Sequence, residues 1–176
     1  MQIYLSQTAY HTAVAENPET VATAVKDAIS AAVGNTLDAD SLCCLNGEQI
    51  TLWAYFILRE EVMDGGFVQL IHNGYGPFFF HNPFAKAMRL WGLPELAKLI
   101  NKAHRLYNEY GDELTRSCSD EDFMALFEKY PKFDDLDDEF IEMEEELSTA
   151  IGRYVTEHLE DFVTINAEES QHTSYE

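Results

Sequence analysis

The sequence predicts an all-α protein: a single compact multi-helix domain with a long acidic C-terminal helix. Two observations carry that prediction. Helix-start signatures, with a capping residue followed by Pro or by an acid or amide three positions on, recur along the chain at helix-length intervals. Apolar residues in the dense stretches repeat at three- and four-residue spacing, with no period-2 alternation and no strand–helix–strand rhythm. No internal repeat is present, and only Gln2–Leu5 reads as a short strand.

The elements follow in order. Asn17-Pro18-Glu19 opens an Ala/Val-rich helix that ends near Gly34. Asn46 with Gln49 three residues on forms a capping box. The helix it opens should bury Leu52, Tyr55 or Phe56, and Leu58 or Val62, and stop at Asp64-Gly65-Gly66. Phe67 to His72 is a short apolar helix closed by the Asn73-Gly74-Tyr75-Gly76-Pro77 turn cluster. Gly65 and Gly66 are expected to reverse the chain with positive φ. After the aromatic loop Phe78-Phe79-Phe80, Asn82-Pro83 starts a helix running to Gly92. Pro94 starts the next, with Leu96, Leu99, Ile100, Ala103 and Leu106 or Tyr107 on one face, ending at Gly111. Ser119 with Asp122 three residues later begins another, which Pro131 terminates.

The last element is the clearest. Phe133, Leu136, Phe140, Met143, Leu147, Ala150 and Tyr154 form a 3-4 seam that continues through Phe162. If unbroken, it is a helix of about 30 residues, roughly 45 Å long, weakest at Ser148-Thr149 and Gly152. Residues 1–165 are expected to fold as one domain, with 112–165 its acidic helical part, and 166–176 to form a polar, disordered tail.

Charge is the most informative feature. The 176 residues carry 32 Asp and Glu against 11 Lys and Arg, a net charge of −21. Residues 1–111 hold only −4 of this and residues 112–176 hold −17, while 85–105 is locally basic through Lys86, Arg89, Lys98, Lys102 and Arg105. With 46% hydrophobic residues the chain is too apolar to be disordered. Such acidity repels nucleic acid and anionic membranes, so neither is a direct partner. There is no apolar run of membrane-spanning length and no signal-peptide pattern at MQIYLSQTAYH. Cys43, Cys44 and Cys118 lack metal or disulfide spacing and are expected to be small buried hydrophobes in a reducing cytoplasm.

Between Phe133 and Glu146, nine of 14 residues are acidic, none is basic, and none occupies the apolar seam. That is about one charge per 2.3 Å of helix, close to the ~1.7 Å per charge of duplex DNA. Like charges at helical spacing destabilise by a few tenths of a kcal/mol each, and the helix dipole offsets this only in the first turn. Local stability therefore does not account for the block.

Other chemistries find less support. DDLDDEFIEMEE lacks the central Gly of a calcium-binding loop and is helical in pattern. Glu109 and Glu113 have no Glu-x-x-His partner, and Glu157-His158 has the wrong spacing for a di-iron site, so no metal or other cofactor is expected. No phosphate-binding glycine motif occurs, and no Lys or Arg lies between Gly65 and His81. His72 and His81 bracket the aromatic loop, where a shared metal is the less common outcome and satisfied histidines the commoner one. Ser117, Cys118 and Ser119 lie beside no triad signature. No catalytic residue is assigned, and the protein is expected not to be an enzyme.

Leu45-Asn46-Gly47-Glu48-Gln49, Trp53, and the run Glu60-Glu61-Val62-Met63-Asp64-Gly65-Gly66-Phe67-Val68-Gln69 resemble an acidic bacterial DNA-mimic protein family of the DMP-nineteen type. The resemblance covers about residues 45–110. The chain departs from it at Asp64, where the family usually has Asn, and at Leu70, where an aromatic is common. The resemblance implies a structural motif at Asp64, Gly65, Gly66, Phe67 and Gln69. It also implies a non-catalytic protein that occupies the DNA-binding surface of a helix-turn-helix transcription factor, a repressor blocked from its operator. Its phosphate-mimicking acids would then be Asp120, Glu121, Asp122, Asp134, Asp135, Asp137, Asp138, Glu139, Glu142, Glu144, Glu145 and Glu146. The alternative is an acidic scaffold protein for basic client proteins. Monomer and homodimer both stay open.

Overall fold

A computed structural model describes residues 1–36 and 39–166; of the tail expected to be disordered, Asn166 ends a short strand and the rest lies outside these residues. The chain divides into two compact units, residues 1–53 with 149–176, and residues 54–148, so that both boundaries fall inside long helices. The architecture is all-α apart from one two-stranded ribbon.

In the first unit, β1 (Tyr4–Ser6) pairs in parallel with β2 (Thr164–Asn166), Leu5 opposite Ile165. Ser6 then caps α1 (Gln7–Glu16), its hydroxyl accepting from Ala9 N–H at 3.1 Å. Asn17 caps α2 (Pro18–Ala32) through Thr20 N–H at 2.9 Å, with Pro18 at the first helical position as expected. The short α3 (Ala39–Cys44) precedes α4 (Gly47–His72), which opens on a reciprocal capping box. Gln49 N–H donates to Asn46 Oδ1 at 2.9 Å and Asn46 N–H to Gln49 Oε1 at 3.0 Å. The buried Gln49 also donates its amide to Phe162 O at 2.7 Å, so one side chain caps a helix and holds the C-terminal segment.

The second unit contains the rest of α4, then α5 (Gly76–His81), α6 (Phe84–Leu90), α7 (Pro94–Leu114), α8 (Asp120–Lys129) and most of α9 (Asp134–Glu157). Its core includes Leu58, Phe67, Leu70, Ile71, Phe79, Met88, Leu99, Phe133 and Phe140, all under 2% exposed. α5 and α6 pack against α7. The segment expected as an aromatic loop is therefore helical at α5, where burying Phe79 and Phe80 outweighs weak helix propensity. α7 runs past Gly111 to Leu114, whose side chain is fully buried and whose carbonyl is hydrogen-bonded to Nδ1 of His72.

The long seam is interrupted once. α9 ends at Glu157, His158 adopts φ −121° and ψ 33°, and α10 (Leu159–Phe162) follows. The break is six residues beyond Gly152, the expected weak point. Within the first unit Gly152 lies directly against the Pro18 backbone, so it permits close helix approach and does not end the helix. Of the seam residues, Phe133, Leu136, Phe140, Leu147, Ile151, Val155 and Phe162 are buried and Met143 is half-buried. The three cysteines are exposed, against the expectation of burial: Cys43 and Cys44 close a short helix, and Cys118 lies in the polar link before α8.

Candidate functional site: an acidic helical surface

Two helix starts supply the acids. Ser119 caps α8, its hydroxyl accepting from Asp122 N–H at 3.1 Å and donating to Asp122 Oδ2 at 2.8 Å. Asp120, Glu121 and Asp122 are exposed in the first turn, where the helix dipole favours them. Pro131 ends that run, and Phe133 N–H and Asp134 N–H close turns on Tyr130 O and Pro131 O that lead into α9.

On α9 the nine acids separate into two sets. Asp134, Asp135, Asp138, Glu142, Glu145 and Glu146 are exposed, and none forms a side-chain hydrogen bond or ion pair among the described residues. Asp135 shares the rim of a shallow groove with Lys102, Arg105 and Lys132 over Leu106 and Leu136. Ile141, 51% exposed, is an apolar point among these carboxylates.

Asp137, Glu139 and Glu144 belong to the second set. Glu139 is ion-paired with Lys102 at 2.6 Å. Glu144 is ion-paired with Arg59 and accepts from Ser148 Oγ at 2.8 Å, and Ser148 in turn meets Tyr55 OH at 2.9 Å. Asp137 turns inward and accepts Phe67 N–H at 2.8 Å. Its other oxygen lies against Gly66, at φ +71° the turn residue of the kinked α4, where any Cβ would collide with the carboxylate. No acid occupies a seam position, yet Asp137 and Glu144 flank the seam and are half-buried. A signal for both was present: Asp137 lies between Phe133 and Phe140 at i+4 and i−3, and Glu144 stands likewise between Phe140 and Leu147.

Burial pushes the Asp137 carboxyl up to about 7; Phe67 N–H opposes this, and Asp134 and Asp138 add to it. Because the folded value lies above the unfolded one, the neutral acid's contribution to stability is full below about 3.8 and is lost as pH rises to about 7.

The glycine turn lies at the kink of α4. Gly66 alone takes positive φ; Gly65, at φ −150°, does not, contrary to the sequence expectation. Gly65 instead makes room for the Gln69 side chain, whose amide donates to Asp64 Oδ2 at 2.9 Å and Glu61 Oε2 at 3.2 Å. His72 and His81 are occupied separately. Nδ1 of His72 is hydrogen-bonded to Leu114 O at 2.8 Å, and His81 packs on the His104 and Tyr107 rings. No cluster of three or more potential metal ligands occurs among the described residues. No helix there is long and apolar enough to cross a membrane.

Of the four bases after residue 111, two serve α7: Lys129 is ion-paired with Glu113, and Lys132 donates to Tyr110 OH at 3.0 Å. With Tyr130 OH also donating, Lys129 holds the Glu113 carboxyl below its usual range. Among the described residues none of these four bases is ion-paired with an α9 acid, although Lys132 lines the groove beside Asp135.

A model of the DMP19-like protein family matches residues 43–158. The chain is 34% identical over 127 residues to the DNA mimic protein DMP19 of Neisseria meningitidis serogroup B, covering 72% of this chain and 77% of that protein. The match reaches well beyond the glycine turn to include α7, α8 and the whole acidic helix, and on it the chain belongs to the DMP19-like family.

Proposed function

We propose that this protein is a DNA mimic that binds the DNA-binding surface of a transcription factor, of the helix-turn-helix class, and keeps it from its operator without catalysing a reaction. The observation that carries the reading is the row of six exposed, unpaired carboxylates between Asp134 and Glu146 on a helix anchored by Phe133, Phe140 and Leu147. Twelve residue steps at ~1.5 Å give about 18 Å of axis, or roughly one free charge per 3 Å. A single DNA strand presents one phosphate per ~3.4 Å. The similarity to a DNA mimic protein supports the same assignment.

The docking surface we assign is Asp120, Glu121, Asp122, Asp134, Asp135, Asp138, Glu142, Glu145 and Glu146, with Ile141 as an apolar contact. Glu139 and Glu144 form its partly neutralised border, and Asp137 lies beneath it. Lys and Arg side chains that bind phosphates would find carboxylates held at comparable spacing. A scaffold for basic clients would need acidity but no particular spacing, and nothing observed favours it.

The test begins with capture of partners from lysate of the native cell, sorted by whether they bind DNA. Gel-shift titration of a captured factor on its operator should then show release by this protein. Release should weaken as salt rises, because the contacts are charge pairs at a screened surface. Release unchanged between low and high salt would overturn the electrostatic account.

A further inference from the structure

We infer that Asp137 couples docking to proton release: a cationic partner seated over Asp134 and Asp138 draws the proton from Asp137 into solvent, and binding tightens as pH rises through neutrality. This rests on the acidic-surface reading above and adds a regulatory property to it.

The geometry supplies the coupling. Asp137 is the one half-buried acid of the block with no cationic partner, and a single hydrogen-bond donor, Phe67 N–H, serves its two oxygens. From α4 it faces Gly66 and the Phe67 N–H, neither charged; the nearest acid before that turn, Asp64, is bonded to Gln69. From its own helix it faces Asp134, about one turn before it, and Asp138, the next residue, both exposed. No cation reaches it: Arg59 is ion-paired with Glu144, and Lys102 of α7 with Glu139. Burial and two like charges therefore hold the carboxyl protonated up to about pH 7 in the free protein.

A partner's Lys or Arg groups over Asp134 and Asp138 cancel the like-charge contribution and add attraction. The carboxyl then ionises, its proton passes to the buffer, and the carboxylate accepts Phe67 N–H more strongly. Linkage is reciprocal: whatever binding does to the proton affinity, removing the proton does to binding. A downward shift of one pH unit on docking corresponds to as much as tenfold tighter binding above the transition than below it. Asp134 and Asp138 act at the surface, while Asp137 reports and tunes their occupancy from within.

The experiment uses the full chain and an N-acetylated oligolysine peptide, whose own groups do not titrate near neutrality. Carboxyl-carbon NMR should place the Asp137 midpoint near 7 in the free protein and lower it on saturation with peptide. Calorimetry at pH 7 in two buffers of different ionisation enthalpy should show proton release, and affinity should rise several-fold from pH 6 to pH 8. In Asp137→Asn, whose amide oxygen can still accept Phe67 N–H, both the release and the pH dependence should be largely lost. A midpoint in the ordinary range near 4, or binding with no proton release, would overturn the coupling and leave the acidic surface standing. Proton release undiminished in a folded Asp137→Asn variant would also overturn it. Peptide that fails to bind at low salt would overturn the acidic-surface reading, and the coupling with it. The NMR titration needs only the unaltered chain, so it decides the matter even if the variant folds poorly.

Discussion

The acids that open α8 and those that line α9 look alike in the sequence and differ in physical standing. Asp120, Glu121 and Asp122 lie within the first turn of α8, beside the Ser119 cap, where negative charge interacts favourably with the helix N-terminus. On α9 the acids continue to Glu146, about three turns past the helix start, where the dipole no longer helps. There the side facing the core has found uses for three of them, as a hydrogen-bond acceptor at the α4 kink and in ion pairs with Lys102 and Arg59. Of the six exposed acids, Asp134 and Asp135 share the favourable first turn, while Asp138, Glu142, Glu145 and Glu146 have no such use. Charge within the first turn contributes to its own helix, and the proposed docking surface rests most heavily on the charge that repeats beyond that reach.

Four variants test that contrast, beginning under α9, where stability should reside. Phe140→Ala removes a ring that is 0% exposed and should destabilise by about 3–5 kcal/mol, read from chemical denaturation. If the loss were below about 1 kcal/mol, the acidic helix would not be the anchored scaffold that the contrast assumes. Gly66→Val forces a β-branched residue to φ +71° and drives its side chain into Asp137. It should cost at least about 2 kcal/mol in the same assay. A variant that melted normally yet lost partner binding would instead make the turn a contact site.

Smaller effects come from the acidic stretches themselves. Ser119→Ala deletes the α8 cap and should cost about 1 kcal/mol with little change in partner affinity. The smallest change in stability belongs to the triple change Asp134→Asn, Asp138→Asn, Glu142→Gln. Its melting temperature should be unchanged or slightly higher, since each relieved repulsion is worth a few tenths of a kcal/mol. Affinity for a cationic partner should meanwhile fall steeply. Wild-type affinity in that variant would return the exposed row to ordinary solvation and erase the difference between the two helices.

Much of this molecule was determined locally. The caps at Asn17, Asn46 and Ser119 are hydrogen bonds within four residues, so the residue types and their spacing were sufficient to locate α2, α4 and α8. The seam of α9 was likewise legible, because burying one face of a helix leaves a 3-4 repeat in the sequence. The glycine turn was visible as a break, and the excess of acid after residue 111 is plain arithmetic on the chain.

What the sequence left undecided depended on partners distant along the chain. α5 forms because Phe79 and Phe80 find a core to enter, and α7 passes Gly111 to reach Leu114, which is buried and whose carbonyl meets His72. The seam breaks at His158 and not at Gly152, which is occupied by the backbone of Pro18. Above all, only the tertiary fold separated nine similar acids into those that serve the protein and those that face outward. Asp137 and Phe67 are 70 residues apart, and Glu144 and Arg59 are 85 apart. No spacing rule links them, because an inward carboxylate is tolerated only where another segment brings a donor to meet it.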